Sequence, residues 1–234
     1  MDKAGKRSAA GRAAQKHRAI LAAATTLFLR SGFKGTSMDE VASLAEVSKQ
    51  TVYKHFADKE ALFREIVEGV TGSSDAVIEV ITAAFGDVLA TTSDELEARL
   101  CKVAGVYLDV VLHAQVLSLR RLIIAEAEQF PDLARRYYEQ APARGIEVLM
   151  NCLQPYVDVG LVAADDLRLA AAHFAYLALG PAQDRMLFIP TERPTPQERN
   201  QLAAASARAF LNAYGTTTST APTTSRTVPP AGSQ

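Results

Sequence analysis

The sequence predicts an all-α protein in which an N-terminal helix-turn-helix domain precedes a larger helical domain. Three observations lead to this expectation. Apolar residues recur at helical spacing over most of residues 14–215, without strand-like alternation or an internal repeat. A helix, a tight turn and a second helix are predicted between Thr36 and His55. Charge is divided unevenly, because residues 1–64 carry a net of +6 and the remainder carries −7.

Composition limits the class of protein. The chain has 234 residues, of which 48% are hydrophobic and 22% charged, as in ordinary soluble globular proteins. No apolar run approaches the roughly 18 residues of a membrane span, and no apolar segment of a signal peptide follows the basic N-terminus. Cys101 and Cys152 do not make a disulfide framework. We therefore expect a protein of the reducing cytoplasm, with no membrane association.

The chain divides into four segments. Residues 1–13 are basic and rich in small residues, and we expect a flexible basic arm that either follows DNA or is merely solvated. The helix-turn-helix domain is predicted over 14–70 and the second domain over 71–215. Residues 216–234 are rich in Thr, Ser and Pro and are expected to be disordered.

The first domain begins with an amphipathic helix, Ala14 to Ser31, which Gly32 ends. Ser37 and Glu40 fit a capping box at the start of a second helix, which extends from Met38 to about Ala45. The apolar residues expected to form the core of this domain recur at helical spacing: Ile20, Ala24, Leu27, Phe28, Phe33, Val41, Leu44, Val52, Phe56, Leu62, Phe63, Ile66, Val67 and Val70.

The third helix, Lys49 to His55, has an unusual surface. Ser48 is a good N-cap, and only Val52 points clearly inward. The other side chains form an outward face of hydrogen-bond donors with almost no negative charge: Ser48, Lys49, Gln50, Thr51, Tyr53, Lys54 and His55. A polar second helix after a tight turn is typical of a helix that enters the major groove of DNA. The alternatives are a solvated helix and, for His55, a bond to a backbone group.

The segment from about Ala14 to Val67 resembles the N-terminal domain of TetR-type transcriptional regulators. The resemblance rests on these residues: Phe28, Gly32-Phe33, Thr36-Ser37, Ala45, Val47-Ser48, Thr51 to Phe56 and Asp58 to Leu62. Glu46 departs from the family pattern, in which the turn often carries glycine. A non-glycine residue at positive φ costs about 1 kcal/mol, so we expect a slightly strained turn.

The resemblance implies DNA contacts at nine positions. Gln50 and Thr51 are placed to touch base edges, and Ser48 and Lys49 lie on the same face. Better placed for phosphates are Tyr53, Lys54 and His55. Ser37 and Lys59 lie at two helix N-termini that can bind phosphates. Asp58 is expected to cap the helix that Lys59 begins. A lysine in a first turn opposes the helix dipole, so Lys59 is expected to have an anion nearby, for which a DNA phosphate is the natural candidate.

The second domain is predicted to be helical throughout. The first two helices are predicted from Val77 to Phe85 and from the cap at Thr92, and a third from Gln115 to Gln129. Pro131 is expected at the first position of the next helix, with a kink or break at Pro142. The last two helices are predicted from Leu167 to Leu179, closed by Gly180-Pro181, and from a Thr195–Glu198 capping box to Tyr214.

The resemblance also implies a small-molecule effector in this second domain. The candidate residues are polar groups on otherwise apolar helix faces: Tyr107, His113, Arg120, Glu126, Asn151, His173, Tyr176 and Gln183. For each of them, an ordinary core or surface role is the alternative. The small residues of the last two helices favour close packing, either internally or across the seam of a homodimer. Two recognition helices about 34 Å apart would read a palindromic operator.

The sequence argues against catalysis and against a metal or other cofactor. The four histidines have no ligand spacing with one another or with the cysteines, and no catalytic motif is present. The expected function is a DNA-binding transcriptional regulator, most simply a repressor that a ligand releases. Two alternatives remain: a DNA-binding regulator without a small-molecule effector, and a helical protein-interaction module.

Overall fold

The computed structural model of the chain describes residues 3–71 and 74–216. These residues form helices, together with one isolated β-bridge between Val162 and Gly215. The elements are α1 (Lys3–Ser31), α2 (Met38–Leu44), α3 (Lys49–His55), α4 (Lys59–Thr71), α5 (Ser74–Phe85), α6 (Ser93–Val111), α7 (Ala114–Ala125), α8 (Pro131–Tyr138), a π-helical turn (Glu139–Ala143), α9 (Arg144–Asp158), α10 (Leu167–Phe188) and α11 (Pro196–Tyr214). The all-α fold class is therefore confirmed.

Side-chain caps start most of these helices where the sequence predicts them. Ser37 with Glu40 and Thr195 with Glu198 both form complete capping boxes. Backbone and side-chain hydrogen bonds from Ser37 hold the pKa of Glu40 below its usual value, and bonds from Thr195 lower the pKa of Glu198 likewise. Four further N-cap side chains accept a backbone N–H in the first turn: Ser48 for α3, Asp58 for α4, Thr92 for α6 and Asp166 for α10.

The N-terminal helices share one hydrophobic core. Its centre is aromatic, because the Phe28 ring lies 5.7 Å from Phe33 and 5.5 Å from Phe63, measured between centroids. Val52 anchors α3 in this core and Phe56 follows it, so α3 is held by its inward side alone. The predicted core residues are buried with one exception, apart from Val70, whose side chain lies outside the described part of the chain. Leu44 is 50% exposed because α2 ends there, and its last turn lies at the surface.

The same core continues into α7 and α8, which the sequence did not predict. The buried residues of this cluster that come from the second half of the chain are Leu119, Leu122, Ile123, Phe130, Leu133 and Tyr137. Phe130 lies between the two helices, with its ring 4.9 Å from Phe33 and 5.5 Å from Phe63. The helix-turn-helix region therefore packs against a wall that other elements provide.

A second core joins α5, α6, α9, α10 and α11. Phe174 of α10 and Phe210 of α11 meet edge to face at 5.4 Å and are fully buried. The C-terminal end of α11 is tied to the loop after α9, because the backbone N–H of Ala163 donates to the Tyr214 carbonyl over 2.7 Å. This core holds α6 and α10 on either side of the cavity described below.

Helix α10 is longer than predicted, because it does not end at Gly180-Pro181 but continues to Phe188. A proline removes one backbone hydrogen bond, which costs roughly 3 kcal/mol in a helix interior. Burial of Ala182 and Met186 beyond it offsets that cost. Helix α7 is shorter than predicted and ends at Ala125, because the chain turns so that the Phe130 ring enters the first core.

The two ends of the chain also differ from expectation. The backbone of residues 3–13, predicted as a flexible arm, forms the first turns of α1. Alanine, lysine and arginine have high helix propensity, and this segment contains no proline to stop the helix. Of the tail predicted over 216–234, only Thr216 falls in the described part of the chain, and the rest lies outside it.

Across residues 3–71 and 74–216, no single helix combines the length and apolar character of a membrane span. Helices α6 and α7, which bend by 63° at their junction, pass that test only as a pair, by length and composition.

Candidate nucleic-acid interface and cavity

The outward face of α3 is exposed, as the pattern of its residues predicts. Lys49, Gln50 and Lys54 are exposed, and Tyr53 exposes 46% of its surface although it is aromatic. Thr51 and His55 lie half-buried at the edges of this face. The face is polar because α3 needs only its single inward valine to stay attached.

The turn before α3 has the strained conformation that the sequence predicts. Glu46 has φ of 53°, and among the described residues it is the non-glycine residue with positive φ. The turn closes when the Val47 N–H donates to the Ala42 carbonyl over 3.0 Å. Ser48 then caps α3 by accepting the Thr51 N–H, and its hydroxyl lies 2.8 Å from that of Thr51. The start of α3 is thus fixed by its own side chains.

Lys49 pairs with Asp39 of α2, with 2.7 Å between Nζ and Oδ1. Both side chains are more than half exposed. An exposed pair of this kind is weak because water screens both charges, so a phosphate can replace the carboxylate at little cost. Lys49 is the one recognition-face cation with a carboxylate partner in the described part of the chain.

Lys59 has partners that sequence reasoning did not identify. Its ammonium donates to the backbone carbonyls of Phe33, at 2.8 Å, and Thr36, at 2.9 Å. It also lies 4.4 Å from the centre of the Phe33 ring. The sequence analysis expected an anion near Lys59, with a DNA phosphate as the natural candidate. In the structure, the carbonyl dipoles and the face of the ring supply negative potential at the ammonium. Lys59 therefore ties the loop between α1 and α2 to α4, and one of its three donors remains for another acceptor.

We expect the Lys59→Met variant to be less stable by about 1–2 kcal/mol, because two carbonyls lose a charged donor. Binding to every DNA sequence should weaken. If Lys59 contacts a phosphate, the slope of the logarithm of the binding constant against the logarithm of salt concentration should fall in magnitude by about 1. Urea denaturation and DNA titrations at several salt concentrations measure both effects. Lys102→Met, an exposed lysine of α6, is the charge-matched control. Weaker binding with an unchanged salt slope would restrict Lys59 to supporting the loop.

His55 is held by ring contacts at the end of α3. Its ring lies 5.5 Å from that of His17, which stacks on Phe56 at 5.0 Å. His17 Nε2 lies 2.5 Å from Glu65 Oε1 of α4. In the described part of the chain, the His55 ring has these ring contacts and no side-chain bond to a backbone group. The C-terminal end of α3 is therefore fixed between α1 and α4.

A cavity of about 300 Å³ lies among α6, α7, α8, α9 and α10. Its apolar walls include Ile123, Ile146, Ala175 and Leu179. Four tyrosines also line it: Tyr107, Tyr137, Tyr138 and Tyr176. The volume is at the lower end of the range of about 300–1,000 Å³ typical of small-molecule pockets.

The cavity brings together half of the predicted effector residues. Tyr107, Arg120, Tyr176 and Gln183 line it. The other four candidates lie elsewhere, because the helical period turns them away. His113 and Asn151 are exposed, and Glu126 follows the last turn of α7. His173 is also exposed, and its Nδ1 lies 2.5 Å from the Tyr214 hydroxyl.

The polar groups of the cavity lie close to one another. Arg120 donates to the Gln183 side-chain oxygen over 2.5 Å, across the space between α7 and α10. Burial raises the pKa of Tyr107 to about 12, although the nearby Arg120 charge opposes that increase. Tyr107 therefore stays a neutral phenol at physiological pH and can donate a hydrogen bond.

One wall of the cavity also belongs to the core of the helix-turn-helix region. Ile123 and Tyr137 line the cavity and are members of the first core. Sequence reasoning missed both roles, because it treated the two helices as parts of a separate domain. The two adjacent tyrosines of α8 were the sequence signal for this wall. Tyr137 is buried, whereas its neighbour Tyr138 lies at the exposed side of the cavity.

Comparison with known proteins assigns both halves of the chain. Residues 20–66 match the profile described as bacterial regulatory proteins of the tetR family. Residues 98–216, which are half of the chain, match the C-terminal domain of AefR-like transcriptional repressors. The chain belongs to the TetR family. It is therefore a TetR-family DNA-binding transcriptional regulator, and the resemblance noted in the sequence is confirmed.

Solved TetR-family structures agree with this assignment along most of the chain. A transcriptional regulator of the family from Mesorhizobium loti is 37% identical, with a TM-score of 0.76 over 88% of this chain and 99% of that one. A protein named flavonoid-responsive regulator FrrA is 29% identical, with a TM-score of 0.64 over 86% of this chain and 98% of that one.

Two curated relatives match over short stretches. The regulator YhgD of Bacillus subtilis is 55% identical over 47 residues, which are 20% of this chain and 25% of that protein. RutR of Escherichia coli is 42% identical over 66 residues, which are 28% of this chain and 30% of that protein. The chain thus matches less than a third of the length of these two relatives.

Proposed function

We propose that the protein is a homodimeric repressor that binds a pseudo-palindromic operator and is released when a small molecule enters its cavity. The observation that carries this proposal is the shared wall, formed by α7 and α8. One side of the wall lines the cavity, and the other completes the core that holds α3. The profile matched by the C-terminal half is named for repressors, which supports repression rather than activation of transcription.

The DNA contacts follow from the exposed face of α3. Gln50 and Thr51 would read base edges in the major groove, and Tyr53, Lys54 and His55 would contact the flanking phosphates. The remaining residues of the interface would be Ser37, Ser48, Lys49 and Lys59, near the N-termini of α2, α3 and α4. Lys49 would exchange Asp39 for a phosphate when DNA binds.

A second copy of the chain would pack against α10 and α11. Leu177 is 43% exposed there, and Pro181 and Ala205 are exposed beside a shallow groove between the two helices. Small side chains at the groove allow helices to approach closely. One recognition helix gives a small contact area, whereas two that are about 34 Å apart bind successive turns of one duplex.

The ligand would act through the shared wall and Phe130. A ligand against Ile123 and Tyr137 would displace α7 or α8, and the loop between these helices carries Phe130 against Phe33 and Phe63. Phe33 is in turn held by Lys59, at the base of the helix-turn-helix. A change of a few ångströms would suffice, because the spacing of the half-sites on DNA is fixed.

The functional units would remain residues 14–70 for DNA binding and 71–215 for ligand binding and dimerisation. Two physical links would couple them: the direct path from α4 towards α5, and the wall of α7 and α8. The printed name of FrrA indicates that a related protein responds to a flavonoid, which supports a small molecule as the signal for this chain. The presence of a cavity weighs against a regulator without an effector.

Two measurements test the proposal together. Selection of bound duplexes from a random pool should yield a palindrome with half-sites about one helical turn apart. Operator titrations with added ligand should then show weaker DNA binding. By linkage, bound DNA should lower the affinity of the protein for the ligand by the same factor.

The Gln50→Ala variant should relax the sequence preference at one position of each half-site. A bound site without symmetry, or ligand binding without reciprocal weakening, would contradict the mechanism.

A further inference from the structure

The charge distribution inside the cavity is unbalanced. Among the described residues that line it, Arg120 is the one charged side chain, and no aspartate or glutamate accompanies it. Its hydrogen-bond partner, the Gln183 side-chain amide, is neutral. Arg120 is half-buried, and a guanidinium partly withdrawn from water is stabilised when an anion or several acceptors satisfy it. One amide oxygen satisfies one of its five N–H groups, and the lining of the cavity supplies no countercharge.

The rest of the lining favours a flat ring. Tyrosine rings come from three of the surrounding elements, and Tyr137 belongs to the shared wall. The Tyr107 hydroxyl has no hydrogen-bond partner among the described residues, although this side chain is buried. Aromatic rings pack against other rings in offset or edge-to-face geometry, and a neutral phenol can donate to a ligand oxygen.

We propose that the cavity binds a small aromatic carboxylate. Its carboxylate accepts the free N–H groups of Arg120 and the Tyr107 hydroxyl, and its ring lies among the tyrosines. An arginine matches a carboxylate with two parallel hydrogen bonds, which fixes the plane of the ligand as well as its charge. This inference rests on the proposed function in one respect, namely that the cavity is the effector site.

The same lining disfavours other classes of ligand. A cationic ligand would meet the Arg120 charge without a carboxylate to compensate it. A neutral aromatic molecule would leave that charge unsatisfied and displace the water that solvates it. An aliphatic acid would satisfy Arg120 but would make no ring–ring contacts with the tyrosines. Charge and ring are therefore both needed for tight binding.

The test is calorimetric titration of the full chain without DNA, using four probes that separate charge from ring. The probes are 2-naphthoate, 2-naphthamide, 2-naphthylmethylammonium and octanoate. We expect 2-naphthoate to bind about 10–100-fold more tightly than its amide, because the amide loses the charge-assisted bonds. Octanoate should bind at least about tenfold more weakly, and the ammonium compound should not bind. Equal affinity for acid and amide, or no binding of 2-naphthoate, would overturn the proposal.

Variants assign the binding to Arg120. Arg120→Met should reduce 2-naphthoate affinity by about 10–100-fold, and Tyr107→Phe by about 3–10-fold. Arg135→Met removes an exposed arginine of α8 and should leave the affinity unchanged. Circular dichroism checks folding, and Arg120→Lys replaces the methionine variant if that variant does not fold. Full affinity in a folded Arg120 variant would overturn the assignment.

The outcome is separable from that of the proposed function. Binding of 2-naphthoate that depends on Arg120, with no effect on operator affinity, would support the ligand class and contradict ligand-controlled release. Operator release by the neutral or cationic probe, without a preference for the acid, would support release and overturn the aromatic acid.

Discussion

Replacing Leu177 by arginine is expected to convert the proposed dimer to monomers and to weaken binding to a palindromic operator by about 10²–10⁴-fold. The side chain lies on the outer face of α10, 43% exposed, where the second copy is proposed to pack. A buried guanidinium on each side of a two-fold seam would have no countercharge. Loss of the seam removes the gain that comes from binding two linked half-sites. Sedimentation velocity and operator titration measure the two effects.

The control for this substitution is Val80→Arg. Val80 is 48% exposed on α5, so the change in charge and the starting exposure are closely matched. This variant should remain dimeric and bind the operator with unchanged affinity. A dimeric Leu177→Arg protein would move the seam away from this face of α10. A monomer that keeps full operator affinity would instead remove the need for two recognition helices.

Replacing Phe130 by leucine is expected to separate ligand binding from operator release. Leucine stays apolar and should cost less than about 1.5 kcal/mol of stability, whereas alanine should cost about 3–5 kcal/mol. The ring contacts with Phe33 and Phe63 are lost, so the factor by which ligand weakens DNA binding should fall by on the order of tenfold. Ligand affinity without DNA should change little, because Phe130 does not line the cavity. Titrations of operator with and without 2-naphthoate measure the factor.

Phe174→Leu provides the matched control for Phe130. Phe174 is fully buried and meets Phe210 at 5.4 Å, but it belongs to the second core and not to the first. The Phe174→Leu variant should be less stable, but ligand should still weaken its binding to the operator. If both leucine variants lost the response equally, coupling would depend on general stability and not on the path through Phe130.

Local features of the fold could be predicted because their causes are local. A serine three residues before a glutamate predicts the capping box at Ser37, and the polar face of α3 follows from a single apolar position, Val52. The positive φ of Glu46 was expected because this residue stands where the turn of TetR-type regulators often carries glycine. In each case the interacting atoms lie within a few residues of one another, so the sequence contains the whole interaction.

The remaining features depend on residues that are distant in sequence. Lys59 finds its acceptors 26 and 23 residues earlier, at Phe33 and Thr36. The extension of α10 through Pro181 depends on burial of Ala182 and Met186 against other helices. The helical spacing of polar residues was enough to predict Tyr107 and Arg120 as candidates. Which candidate side chains share a cavity depends on how five helices pack together.

The wall of α7 and α8 has a consequence for building chimeric regulators from this family. A graft cut at residue 70 would transfer the DNA-reading helices without Leu119, Phe130 and Leu133, which complete their core. The recipient would have to offer the same apolar shape, or the grafted segment would expose Phe33 and Phe63 to water. The segment to exchange is therefore discontinuous in sequence. It consists of the first four helices together with α7 and α8, which complete their core.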